Sequence, residues 1–110
     1  MRNLDWEANT GININKIVFV WKIANTIPHT TIGFPLILGA LTGMSKAGLT
    51  VHEAGLDSYK ATELGMQWSI RLRYILMHAN DLKEAKHIWN HTENTFGINH
   101  MVASAKDVNG

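Results

Sequence analysis

Residues 16–23 read Lys16-Ile17-Val18-Phe19-Val20-Trp21-Lys22-Ile23, a nearly unbroken run of β-branched and aromatic side chains. A run of this length that does not alternate apolar with polar predicts a strand covered on both faces. Around it the chain is punctuated. Residues 9–15 hold Gly11 and three asparagines and read as a loop, and residues 25–33 hold Pro28 and several threonines and read as another. Residues 36–42 are apolar and are expected to be a strand. The small residues of 43–48 then break the pattern before 49–54 resume extended character, so this pair is expected to form a hairpin. Residues 2–6 could add one short strand.

The period changes near Leu64. Trp68, Leu72, Ile75, Leu76 and Ala79 fall on one face of a 3.6-residue repeat and predict an amphipathic helix. Asn80 ends it. Asp81 and Glu84 then have the spacing of a capping box, with Asp81 taking backbone amides and Glu84 reaching back. Leu82, Ala85, Ile88 and Trp89 form the apolar stripe of a second helix. Residues 100–104 (HMVAS) predict a last strand, and 107–110 a turn leading onward. Strands, hairpin, two antiparallel helices and a strand predict an α+β fold, with helices on one face of a mostly antiparallel sheet. Two helices cannot cover both faces of such a sheet, so residues 1–110 are expected to be a single partial domain.

Composition narrows the function. The chain is 45% hydrophobic and 17% charged, the balance of a globular protein rather than a disordered one. A net charge of +1 gives no electrostatic reason to expect nucleic acid. With no cysteine there is no disulfide, thiolate metal site or thiol nucleophile within these residues. Met1 is followed at once by Arg2, Asn3 and Asp5, with no apolar signal region. That start implies either a protein that is not exported or an N-terminus that has been removed.

Arg2 and Asp5 are the first residues that could carry chemistry. Three apart in a strand, they point to opposite faces unless a twist or bulge brings them together. Arg2-Asn3-Leu4-Asp5-Trp6 resembles the Gly-Arg-Asn-(Leu or Met)-Asp-aromatic motif of the N-terminal-nucleophile hydrolases related to acid ceramidase, choloylglycine hydrolase and penicillin V acylase. Leu41-Thr42-Gly43-Met44-Ser45-Lys46-Ala47-Gly48-Leu49 is similar to that superfamily's Thr-Gly-(Met or Phe)-x-x-x-Gly-Leu hairpin. The helical residues Arg71, Leu72, Ile75, Leu76, Leu82, Glu84 and Ala85, and the strand within 99–106, follow in the family's order, so the resemblance spans most of the chain.

The resemblance implies part of a four-layer αββα sandwich, which would also explain a strand covered on both faces. It implies hydrolysis, or acyl transfer, at the carbon–nitrogen bond of an N-acylated small-molecule or lipid amide, without a cofactor or metal. An N-terminal Cys thiol would attack the carbonyl, with its own α-amino group as base. Asp5 would orient that amino group, and Arg2 would favour the thiolate. The family's compartment would be lysosomal or secreted. Two departures stand out: there is no Cys, and Met1 occupies the place of the glycine before Arg2. As given, the chain is therefore expected to be inert, and its binding partners would include the remaining segments of a parent chain.

Glu53 and His52 are neighbours on the second hairpin strand and point to opposite sides of the sheet. Glu53 is the candidate substrate contact, as a pocket-lining group rather than a catalyst. His87 and His91 share a helix face, but Ile88 stands where a helical zinc hydrolase places its glutamate. Asn90-His91-Thr92 is a glycosylation triplet. The alternative function is a non-catalytic relative that binds a ligand or partner. In either case an uncovered apolar sheet face is expected to drive self-association.

Overall fold

The computed structural model describes residues 8–12, 14–55, 62–95 and 97–107. The candidate residues Arg2 and Asp5 lie outside that set. After a short 3-10 turn at Ala8–Thr10, five strands form one sheet: β1 (Ile17–Trp21), β2 (His29–Gly33), β3 (Thr42–Ser45), β4 (Leu49–Ala54) and β5 (Asn99–Ser104). Their order in the sheet is their order in the chain, and every neighbouring pair is antiparallel. Two helices, α1 (Trp68–His78) and α2 (Leu82–Asn90), fill the connection between β4 and β5. They pack on one face of the sheet, giving the α+β architecture expected from the sequence.

The strand register sorts the side chains into two faces. Phe19, Thr31, Gly43, Val51 and Val102 lie in one row beneath the helices. Val18, Val20, Thr30, Ile32, Met44, Thr50 and Met101 point the other way. The core sits on the helical side. Leu49 and Val51 of β4 meet Leu72, Ile75 and Leu76 of α1, and all five are fully buried. The predicted apolar face of α1, from Trp68 to Ala79, is buried throughout. On α2, Ala85 is buried, while Leu82, Ile88 and Trp89 pack partly buried against the same core.

The helix ends follow from side-chain chemistry. Gln67 caps α1 by accepting the amides of Ser69 and Ile70. Asp81 caps α2 by accepting from the Glu84 amide at 2.8 Å. Glu84 does reach back, but to the amide of Asn80 at 2.7 Å, one residue before the cap.

Three expectations are corrected. The run at 16–23 is not covered on both faces. β1 alternates half-buried with exposed positions, and Val18 and Val20 are 61% and 68% exposed. It is an edge strand, and among the described residues no helix lies over its second side. Residues 29–33, expected to be a loop, form β2. Thr30, Thr31 and Ile32 are β-branched and pair with strands on both sides, which outweighs the turn signal of Pro28. Residues 36–42 are not a strand. Ala40 and Leu41 in that stretch, with Phe34 just before it, are buried core, and the Ala40 amide donates to the Ser69 carbonyl of α1. The apolar character there serves packing on a helix. The hairpin strand itself begins only at Thr42.

One glycine is fixed by this packing. Gly43 faces α1 from the middle of β3. A Cβ at that position would lie 2.6 Å from Leu76 Cδ1 and 2.7 Å from the Thr30 carbonyl oxygen. The backbone contact cannot move aside without breaking the β2–β3 ladder. Gly43→Ala is therefore expected to destabilise the fold by about 1–3 kcal/mol. Urea denaturation monitored by tryptophan fluorescence measures it; an unchanged midpoint would mean that α1 does not close on β3 as described.

Candidate functional site

The open sheet face carries a groove of about 650 Å³. Its floor is Val20, Thr30, Ile32, Met44 and Thr50, drawn from four adjacent strands. Lys22 and Lys46 stand at the end where β1 and β3 finish, on either side of Pro28. There the Lys46 amide donates to the Pro28 carbonyl at 2.8 Å. Toward the other end, Thr42 Oγ1 lies 2.6 Å from Nδ1 of His52, its cross-strand partner. The exposed lining is mainly apolar, with Thr30 and Thr50 in the floor and the charged and imidazole groups toward the two ends. That suits a hydrophobic layer or an aliphatic group.

Glu53 and His52 do fall on opposite sides. His52 lines the groove. Glu53 points beneath the helices, where it is 4% exposed and directly opposite His100 of β5. The structure thus brings the candidate substrate contact into the helix–sheet seam at the far end of β4 and leaves the groove to its neighbour. His87 and His91 lie with ring centroids 4.0 Å apart and tilted by 32°, and His91 Nδ1 donates to the His87 carbonyl at 2.8 Å. Among the described residues no three His, Cys, Asp or Glu side chains gather as metal ligands. Asn90, in the glycosylation triplet, is the exposed last residue of α2.

The seam also holds a polar group, named above only for the resemblance, whose burial the sequence reading did not foresee. Arg71 is 1% exposed, among the most buried residues of the chain. Its guanidinium lies 4.3 Å from the centre of the Trp89 ring. Nη1 donates to the Thr92 carbonyl at 3.3 Å, and Nη2 donates to the Asn94 side-chain oxygen. Burial lowers its pKa from the usual arginine value. The signal was present: Arg71 falls three residues after Trp68 and four before Ile75, on the buried stripe itself. A charge on that stripe must be paired or costs several kcal/mol. Here the pairing ties α1 to residues 92–94 and through Trp89 to α2.

No protein-family model matches this chain, and no curated protein matches it.

Arg71→Lys keeps the charge but loses the planar fork that reaches two acceptors and stacks on Trp89. The expected loss is about 1–3 kcal/mol of stability. Faster hydrogen exchange should appear at residues 92–95. Exchange there equal to the parent protein's would show that Arg71 does not hold this segment.

Proposed function

We propose that this chain is the inner part of an N-terminal-nucleophile amide hydrolase or acyltransferase, with half of an αββα sandwich built from the β1–β5 sheet and its two helices. The observation that carries the reading is the asymmetry of the sheet. One face is sealed by α1 and α2. The other presents Val18, Val20, Ile32, Met44 and Met101, each between 42% and 68% exposed. An apolar face drawn from four of the five described strands is what one inner layer of a two-sheet sandwich offers to the other. The ordered sequence motifs add the chemistry: Arg2 and Asp5 beside a Cys thiol, and an N-acylated small-molecule or lipid amide as substrate. The thiolate would attack the acyl carbon, the carbon–nitrogen bond would break, and the amine would leave with a proton. Water, or a second amine in the transferase case, would then take the acyl group from sulfur.

The first test is the intact mass and N-terminal sequence of the native protein, combined with hydrolysis of N-acyl amides and its block by iodoacetamide. A chain beginning at Cys and running into Arg2, with alkylation-sensitive amidase activity, is the expected result. In that protein Asp5→Asn should lower kcat/KM by about two to four orders of magnitude. A native N-terminus with no Cys before Arg2 sinks the reading.

The second reading is a non-catalytic module that binds a ligand or partner. The apolar groove between Lys22 and His52 supports it, because that groove can accept an occupant without any nucleophile. Under either reading residues 1–110 alone should self-associate through the open face. Sedimentation velocity should find concentration-dependent oligomers, and Val18→Lys with Met44→Lys should shift them toward monomer. Monomeric parent protein at 100 µM (on the order of the concentrations where such patches associate) would count against an exposed interlayer surface.

A further inference from the structure

The helical layer is held at both flanks of the sheet by the same stack of side chains. On the β1–β2 side, Arg73 of α1 lies with its guanidinium 3.6 Å from the centre of the Trp21 ring, and Trp21 stacks on His29 at 6.2 Å and 19°. On the β5 side, Arg71 lies over Trp89, and Trp89 meets His100 edge-on at 4.7 Å, with Trp68 at 6.0 Å on the same imidazole. Each stack runs arginine, tryptophan, histidine. Both arginines come from α1, and both histidines come from strands.

Both imidazoles are built in as neutral rings. His29 is buried, and its Nδ1 lies 2.9 Å from the Ile27 carbonyl, which can only accept, so Nδ1 carries the proton. Its Nε2 is buried and has no hydrogen-bond partner among the described residues. Neither ring nitrogen of His100 has a partner among the described residues. A second proton on either ring would be buried without an acceptor, beside a fixed positive charge.

We propose that the two stacks are an acid-operated clamp, in which protonation of His29 and His100 releases the helical layer from the sheet. The groups that bear on each ring favour this. His29 faces Trp21 from β1, Ser45 from β3 and the Arg73 charge from α1. His100 faces Arg71 from α1, Trp89 from α2 and Glu53 across the strand pair. Among the described residues that face this ring, Glu53 alone would favour the imidazolium. Burial first, and the Arg71 charge second, nevertheless hold His100 down to about 4 from an ordinary 6.5. Burial lowers His29 as well, with Arg73 adding to it and the Ile27 hydrogen bond opposing it. The released form binds protons at an ordinary histidine pKa and the docked form does not. Docking is therefore complete above pH 6.5 and weakens as pH falls from 6.5 toward about 4. The clamp does not depend on the proposed amidase activity.

The test is a titration of the intact protein from pH 7.5 to 3.5, read by tryptophan fluorescence and near-UV circular dichroism, with far-UV dichroism alongside. Tertiary signal should disappear between pH 6.5 and 4 while far-UV signal is largely kept. His100→Phe fills the same space, needs no partner and cannot titrate. His29→Asn keeps a donor for the Ile27 carbonyl and cannot titrate. Each should move the midpoint down by about 0.5 pH unit or more, and the pair by more than either alone. A midpoint unmoved in His100→Phe overturns the clamp. So does an NMR titration of the unmodified protein in which either imidazole protonates near pH 6.5 with near-UV signal intact, a readout that stands even if a variant fails to fold.

Discussion

The docking of α1 on the sheet is the contact on which the rest of this structure depends. It is made at three levels. Leu72, Ile75 and Leu76 bury apolar surface against Leu49 and Val51. Gly43 supplies the room that lets Leu76 approach the sheet so closely. Arg71 and Arg73 then fix the lateral position, one toward each flank. The order of importance follows from magnitudes. A fully buried aliphatic side chain contributes about 1.5–3 kcal/mol. A cation on an aromatic face adds about 0.5–2 kcal/mol, the larger value when it is desolvated. Apolar packing therefore supplies the affinity of helix for sheet, and the arginines supply the register.

That arrangement makes the two sheet faces chemically unlike each other. On the helical side, polar groups such as Glu53, His100, Ser45 and His29 are enclosed among tryptophans and aliphatics. On the open side, the groups that face outward are mostly valine, isoleucine, methionine and threonine, the types that favour a half-buried strand surface. A sheet ending at a solvent boundary normally alternates apolar-in with polar-out. Here both directions are apolar, and the side with charges buried in it is the side already covered.

How much of this was legible depends on the element. The helices were, because a stripe such as Trp68, Leu72, Ile75, Leu76 and Ala79 has one periodic reading with Asn80 just beyond it; the start near Leu64 was not, since the Gln67 side chain caps α1 and the helix begins at Trp68. β4 and β5 were, because extended character there coincides with pairing. β2 was not, since Pro28 and the threonines resemble a loop locally and become a strand only through long-range partners. Residues 36–42 failed for the converse reason: apolar content marks burial, and burial against a helix needs no ladder. In the site, the split of His52 and Glu53 to opposite faces followed from the period of two. Which face the helices would take did not, because that choice is fixed by Gly43 and the β4 side chains acting on α1.

The run at 16–23 carries the deepest consequence of the two-faced sheet. Its sequence has the apolar content of a strand covered on both sides, yet β1 is an edge strand with Val18 and Val20 in the open. Leaving such residues exposed forfeits most of the burial free energy they could contribute, about 25 cal/mol for every Å² kept in water. Lys16 and Lys22 at its ends give β1 the charged guards found on edge strands that must avoid pairing with other chains. Those charges protect the strand's edge but not its face. The residues that need cover are Val18 and Val20 with Ile32 and Met44, and they lie side by side across β1, β2 and β3 in a single patch. A layer placed there would meet an apolar surface already pleated and already in register. Sheet-on-sheet packing of the kind found in sandwiches is the geometry that seals such a surface without leaving backbone groups unpaired.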